Sequence, residues 1–184
     1  APAASGTTVL DRAVLERCAA MLEPVVADGG DHPNARLLPT LLAALDSAAP
    51  LGPARRVPVI TVIADLDAPI VDTHDAFLRL HLLSSRKIRP HGCSLDGLFG
   101  ALNNVVWTDA GPFDPDGFEA VRADLRVQGR TLVVRSLDKF PPLLDYVVPS
   151  GVRVADASRV RLGAYLGDGT TVMHEGFVNF NAGT

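Results

Sequence analysis

Hydrophobic residues in the first 50 positions recur every three or four residues, as they do on one face of a helix. This spacing predicts two helices, the second over residues 36–48 with Pro39 near its first turn. The apolar stripe of the first helix consists of Leu10, Val14, Cys18, Met21 and Leu22. Residues 57–64 are β-branched and apolar on both faces, which predicts a buried strand that Pro58 restricts to a strand start or a sheet edge.

Helical and extended patterns alternate over the next part of the chain. Asp72 or Thr73 is placed to cap a helix over residues 74–87, which Pro90 terminates. Further helices are predicted over 94–102 and 114–128, strands over 104–108 and 131–137, and a turn at Gly111-Pro112. We therefore expect residues 1–147 to form an α/β N-terminal domain, with residues 1–56 as a variable helical segment.

From residue 148 onward the period changes to six. The phased aliphatic residues are Val148, Val154, Val160, Leu166, Val172 and Val178. Small residues stand two positions earlier, at Ser158, Ala164, Thr170, Gly176 and Ala182. A helix of 3.6 residues per turn cannot keep this period, and a strand of period two would not fix the small position. The pattern predicts a left-handed parallel β-helix, a hexapeptide-repeat solenoid of three short strands per coil; an ordinary run of turns and short strands is the alternative.

Residues 148–184 suffice for only about two coils of such a solenoid. A solenoid needs roughly three or more repeats and a capping element to bury its core. We therefore expect this chain to be the N-terminal portion of a longer protein, with the β-helix truncated after about two coils.

Composition and charge narrow the class of protein by exclusion. The 17 basic and 21 acidic residues give a net charge of −4, and no basic run is longer than Arg55-Arg56 or the broken cluster over residues 86–89, so neither nucleic acid nor an anionic membrane is an expected partner. Cys18 and Cys93 have no CxxC partner and predict no disulfide, which suits a reducing compartment. The apolar stretches are far shorter than the roughly 18 residues of a membrane span, and the N-terminus has no signal-peptide pattern, so we expect a cytoplasmic protein.

Blocks of sequence from about residue 57 to the end resemble a known enzyme family. They are residues 75–84, 97–108, 138–141, 145–153 and 159–184. The last block is very specific and contains Met173-His-Glu-Gly176 and Asn181-Ala-Gly-Thr184. These blocks resemble the actinomycete-type tetrahydrodipicolinate N-succinyltransferases. The resemblance implies a cytoplasmic homotrimer acting on small molecules in lysine and diaminopimelate synthesis: succinyl passes from succinyl-CoA to tetrahydrodipicolinate, giving N-succinyl-2-amino-6-oxopimelate and CoA.

The resemblance also implies roles for four residues. Glu175 is expected to bind Mg²⁺ at the trimer axis, where three carboxylates would repel one another without a hard cation; a solvated turn glutamate is the alternative. The family's companion acidic ligand corresponds to Ser158, a departure from the family pattern. His174 and Asn179 are expected to bind substrate, although His174 also suits a structural role. The family's catalytic acid follows the Asn-Ala-Gly-Thr block, so no catalytic residue is expected within these 184 residues.

Other motifs give weaker functional hypotheses. The pair His91 and Cys93 lacks a third group to orient a Cys/His nucleophile. Asp65 and Asp67 predict caps at a strand end rather than an acid/base pair. The Gly163 to Gly169 spacing is not followed by the Lys-Ser/Thr pair of a phosphate loop, and period six already explains it.

Three alternative functions were weighed against the transferase. A carbonic-anhydrase-like zinc site needs about three histidines, and the solenoid part has only His174. A sugar-nucleotide pyrophosphorylase would carry a Gly-rich phosphate loop after its first strand, where this chain has Asp65-Leu-Asp67. The third alternative stays open: a non-catalytic hexapeptide-repeat trimerisation or regulatory scaffold that lacks the catalytic acid.

Overall fold

The computed structural model describes residues 4–28, 30–46 and 57–184. These residues form two compact units: a helical unit over residues 7–61 and a main unit that holds residues 62–184. The end of the second predicted helix at residues 47 and 48, and the basic pair Arg55-Arg56, lie outside the described residues. Within the described residues, no helix is both long enough and apolar enough to cross a lipid bilayer.

The helical unit contains both helices expected from the apolar spacing. They are α1 (Arg12–Ala27) and α2 (Pro33–Asp46), and Asp11 caps α1 by accepting a hydrogen bond from the Val14 N–H at 2.8 Å. The unpredicted strand β1 (Gly6–Val9) pairs with β2 (Val59–Val62) in a sheet of two strands. The prediction that β2 is buried was wrong, since Ile60 is 52% exposed. A sheet of two strands is not covered on both faces, and the number of strands in a sheet cannot be read from one apolar run.

The main unit begins with three helices and a three-stranded antiparallel sheet. Its elements are α3 (Thr73–Ser84), α4 (Leu98–Ala101), β3 (Val105–Thr108), β4 (Gly111–Phe113), α5 (Phe118–Val127) and β5 (Val134–Asp138). The strand order is β4-β3-β5. Pro112, predicted in a turn, instead faces Trp107 in the edge strand β4, a position where proline's missing N–H costs no ladder bond.

The helix ends in this unit follow local backbone geometry. Asp72 caps α3, its carboxylate accepting from the Asp75 N–H at 2.8 Å. The helix ends at Ser84, three residues before the predicted end, and Arg86 follows with a left-handed φ of 60°. One core cluster then joins α3 and α4 to the solenoid: Ala76, Leu80, Leu98, Leu102, Phe140 and Leu162.

The C-terminal part pairs in parallel between residues that are 18 apart. The pairs are Arg153 with Thr171, Val154 with Val172, Val160 with Val178, and Tyr165 with Gly183. The first two lie in β6 (Arg153–Val154) and β7 (Thr171–Val172). Val160, Leu166 and Val172 are buried between these coils, as the period of six predicted. Val148, the first of the phased residues, is 81% exposed because the pairing between coils begins only at Arg153.

A connector from the sheet covers one side of the first coil. Pro142 pairs antiparallel with Arg161, and the Leu143 N–H donates to the Val160 carbonyl at 2.8 Å. Leu143 itself is fully buried against Val160, Ala164, Leu166 and Val172. The α/β part therefore supplies the capping element that one end of the solenoid core requires.

Candidate functional site

A cavity of about 480 Å³ lies where β5 and its connector meet the two coils. Arg135, Ser136, Asp138 and Phe140 line one side of this β5 cavity. Asp156, Ser158, Arg161 and Phe177 line the other side. The cavity therefore combines charged, hydroxyl and aromatic groups from two parts of the fold, and its volume is typical of small-molecule sites.

Arg161 connects both sides of the β5 cavity. Its Nη2 donates to Asp138 Oδ2 at 2.7 Å, and its Nη1 donates to Asn179 Oδ1 at 3.2 Å. The guanidinium carbon lies 5.4 Å from the ring centre of Phe140 and 5.8 Å from that of Phe177. These contacts fix a planar cation against two aromatic faces. Asn179, a predicted substrate-binding residue, is thereby held at the wall of the cavity.

Ser158 lines the cavity but its hydroxyl is already used. The Ser158 N–H and Oγ–H both donate to Asp156 Oδ1, at 2.8 and 2.7 Å. These hydrogen bonds, the side-chain one first, lower the pKa of the Asp156 carboxyl, and the charges of Arg159 and His174 add smaller contributions. Asp156 is therefore ionised at neutral pH.

His174 and Glu175 lie outside the cavity on an exposed turn of the second coil. His174 Nε2 is 3.6 Å from Glu175 Oε1, and the two side chains are 68% and 81% exposed. The structure thus brings Ser158 and Asn179 to one cavity and leaves His174 and Glu175 beside it, facing solvent.

The residues of one copy do not fit a magnesium site on their own. Among the residues that the structure describes, no three His, Cys, Asp or Glu side chains are grouped for metal binding. Glu175 offers one carboxylate, and the Ser158 hydroxyl points its hydrogen at Asp156. Mg²⁺ requires octahedral oxygen coordination and is bound mostly by carboxylates and waters. Glu175 meets that requirement only together with carboxylates of other copies.

Arg161 and Asp156 were not predicted as site residues, although the sequence contains a signal for both. Residues 18 apart stack in neighbouring coils. Asn179 is 18 residues after Arg161, and His174 is 18 residues after Asp156. Writing the sequence in rows of eighteen would have placed each pair together. The partners of Arg161 in β5 and its connector, by contrast, give no such signal.

The hypothesis of a Cys/His nucleophile is excluded by geometry. His91 Nδ1 lies 3.2 Å from Asn181 Nδ2, and the His91 backbone N–H donates to Asn181 Oδ1 at 2.8 Å. Cys93 is buried, and this burial raises the pKa of its thiol, an effect that the Arg79 charge partly opposes. Asp65, as predicted, acts as a turn cap, accepting from the Asp67 N–H at 2.9 Å.

Cys93 is expected to react with iodoacetamide at pH 8 at least about ten times more slowly than Cys18, because a raised pKa lowers the thiolate fraction and burial blocks access. Peptide-resolved mass spectrometry over a time course measures both rates in one chain. In denaturing urea the two rates should converge. Equal rates in the folded protein would contradict the buried placement of Cys93.

Comparison with known proteins identifies the family. The family model described as "Tetrahydrodipicolinate N-succinyltransferase middle" matches residues 102–141, which include β5 and its connector. A 2,3,4,5-tetrahydropyridine-2,6-dicarboxylate N-succinyltransferase of Salinispora tropica is 59% identical over 130 residues, covering 71% of this chain and 41% of that protein. The Vibrio cholerae protein of the same name is 50% identical over 131 residues, covering 71% and 38%.

A solved structure extends the similarity to the fold. The crystal structure of a protein named as a 2,3,4,5-tetrahydropyridine-2-carboxylate N-succinyltransferase from Campylobacter jejuni superposes with a TM-score of 0.81 at 27% identity. The match covers 98% of this chain and 45% of that one. The chain thus spans about two fifths of the length of the curated relatives it matches. Over this matched part, the chain belongs to the tetrahydrodipicolinate N-succinyltransferase family.

Proposed function

We propose that this chain works in an acyltransferase that moves succinyl from succinyl-CoA to tetrahydrodipicolinate in lysine and diaminopimelate biosynthesis. One observation carries the proposal: 59% identity over 130 residues with a relative named for succinyl transfer to tetrahydropyridine-2,6-dicarboxylate. The products are N-succinyl-2-amino-6-oxopimelate and free CoA.

The reaction makes two demands on the site. The amine nitrogen of the ring-opened acceptor attacks the thioester carbonyl carbon, the C–S bond breaks, and CoA leaves as the thiol while the nitrogen loses a proton. A positioned base must take that proton, and fixed hydrogen-bond donors must stabilise the oxyanion. We assign neither role to a side chain of these 184 residues, and we propose that this chain contributes the scaffold and part of the substrate site.

We propose that residues 148–184 are the opening coils of a left-handed parallel β-helix that follows an α/β domain over residues 1–147. The parallel pairs at a spacing of 18 residues and the capping by Leu143 support this arrangement. We further propose a homotrimer with its sites in the grooves between neighbouring solenoids. Both cysteines are free thiols, which supports a cytoplasmic location.

Within this trimer, His174 and Asn179 are proposed to bind the dicarboxylate acceptor. His174 is exposed and available to a ligand, and Asn179 is oriented by Arg161. Glu175 is proposed to face the same residue of the other copies, with Mg²⁺ between the carboxylates and Ser158 in place of the family's second acid.

The proposal is tested with the protein in the length found in its source, after its intact mass has been compared with the 19.4 kDa of this chain. Succinyl-CoA and tetrahydrodipicolinate should give equal amounts of free CoA thiol and succinylated product, measured by a thiol reagent and by mass spectrometry. Acceptor-dependent CoA release no faster than in buffer would overturn the proposal. A trimer that binds the acceptor without turnover would instead favour the non-catalytic scaffold.

Replacing Glu175 by alanine is expected to abolish any effect of Mg²⁺ on trimer formation. In the unsubstituted protein, chelation of Mg²⁺ should shift the population from trimer towards monomer, because three carboxylates then repel one another. Sedimentation velocity with and without a chelator measures both. Glu119→Ala, which removes a carboxylate that is 74% exposed on α5, is the control and should keep the Mg²⁺ response. An unchanged response in Glu175→Ala would contradict the metal role.

A further inference from the structure

The β5 cavity carries more carboxylates than cations. Arg135 pairs with Asp145, and Arg161 pairs with Asp138 at 2.7 Å. Asp156 is the fifth charged residue of the lining and has no such cationic partner there. Its Oδ1 accepts from Ser158, whereas Oδ2 has no hydrogen-bond partner in the part of the chain that the structure describes. One carboxylate oxygen therefore remains available to a ligand that donates hydrogen bonds.

The two guanidinium groups also keep unused donors. A guanidinium has five N–H groups. Arg161 uses two of them, towards Asp138 and Asn179, and Arg135 uses one towards Asp145. Donors remain on both arginines even though each is already in an ion pair. A ligand carboxylate can therefore bind without displacing Asp138 or Asp145.

Ser136 provides an independent sign that the cavity is incomplete. Its Oγ is buried at the cavity wall and has no hydrogen-bond partner in the structure. Natural proteins pair the large majority of such buried atoms. A ligand with a polar group in the cavity supplies the partner that the Ser136 hydroxyl lacks.

The balance of charge selects the class of ligand. A phosphate or a simple carboxylate would meet a lining with one net negative charge, and a simple amine would leave the guanidinium donors unused. A molecule with both an ammonium and a carboxylate group satisfies both ends. The aromatic rings of Phe140 and Phe177 lie on the same wall, where they suit an aliphatic portion.

We propose that the β5 cavity is a binding site for a small α-amino acid with an aliphatic side chain. Its ammonium group binds Asp156, and its carboxylate binds the free donors of Arg135 and Arg161 together with the Ser136 hydroxyl. This binding requires neither succinyl-CoA nor turnover, so the inference stands or falls separately from the proposed reaction.

The test compares three ligands of similar length on the ¹⁵N-labelled protein: L-norleucine, hexanoate and pentylamine. L-Norleucine should shift the amide signals of Ser136, Ala157 and Ser158 and bind at least about tenfold more tightly than either ligand with a single charge. Asp156→Asn keeps an oxygen to accept from Ser158 but removes the charge, and should weaken L-norleucine binding at least about tenfold. Asp65→Asn is the matched control: Asp65 caps the same kind of turn, accepting from the Asp67 N–H, but lies outside the cavity, and this variant should bind like the unsubstituted protein.

Three results would overturn the site. They are no shift of these amides at saturating L-norleucine, equal affinity for hexanoate, or unchanged affinity in Asp156→Asn. The comparison of ligands uses the unsubstituted protein and so does not depend on how a variant folds. If L-norleucine also competes with the acceptor in the succinyl-transfer assay, the cavity is the acceptor site; if it binds without competing, the cavity is a separate amino-acid site. Both results support the inference.

Discussion

Replacing Asp75 by leucine is expected to destabilise the protein by about 3–5 kcal/mol, because it leaves a buried guanidinium without its carboxylate. Asp75 and Arg79 are both fully buried on α3, and Arg79 Nε donates to Asp75 Oδ1 at 2.8 Å. The desolvation of the Arg79 charge is offset in the folded state mainly by this carboxylate. Without it, the charge stays in the interior with only neutral acceptors.

The same pair also holds two loops against α3. Arg79 Nη1 donates to the carbonyls of Leu66 and Ser94, at 2.9 and 2.7 Å. Asp75 Oδ2 accepts from the Val71 N–H at 3.0 Å. The backbone groups of three loop positions thus find their partners in one ion pair. Its loss is therefore expected to affect the packing of both loops as well as the helix.

Urea unfolding followed by the fluorescence of Trp107, the single and buried tryptophan, measures this cost. The double variant Asp75→Leu/Arg79→Met removes both charges and should recover about 1–3 kcal/mol relative to Asp75→Leu alone. Glu119→Leu breaks the ion pair of Glu119 with Arg122, in which Glu119 is 74% exposed, and should cost less than about 1 kcal/mol. A cost for Asp75→Leu as small as that of Glu119→Leu would show that the buried pair does not stabilise the fold.

The contrast between the solenoid and the buried pair shows what the sequence can predict. A period of six is a property of consecutive residues, so it predicts that residues 18 apart pair, and the structure pairs Val160 with Val178. Asp75 and Arg79 have the i, i+4 spacing of an ordinary exposed helical ion pair. Their burial depends on loops that pack over α3, which no local pattern records.

The same limit explains the candidate site. Ser158 and Asn179 were predicted from a resemblance within the solenoid, and both lie at the β5 cavity or its wall. The other half of that cavity comes from β5, whose position against the coils follows from the antiparallel pairing of Pro142 with Arg161. That pairing has no periodic signal, so Arg135 and Ser136 could be found only in three dimensions.

Gly163→Ala is expected to cost about 2–4 kcal/mol, the sum of a left-handed backbone penalty and overpacking. Gly163 has a φ of 99°, and an added Cβ would lie 2.8 Å from Phe180 Cβ and 2.5 Å from Leu80 Cδ2. Neither neighbour has room to move. Leu80 is fully buried, and the Phe180 ring stacks on Phe140 with centroids 4.4 Å apart.

Gly169→Ala separates the two contributions, since Gly169 has a similar φ of 80° but no atom within 4 Å of an added Cβ. It should cost only the backbone penalty of about 1–2 kcal/mol. The difference between the two variants in urea unfolding then measures how tightly α3 packs on the first coil, where the Gly163 N–H also donates to Ser84 Oγ at 2.8 Å. Equal costs would mean that the solenoid and α3 are not closely packed at Gly163. A larger cost for Gly163→Ala would show that the glycine is required there by contact with α3 and Phe180, in addition to its backbone conformation.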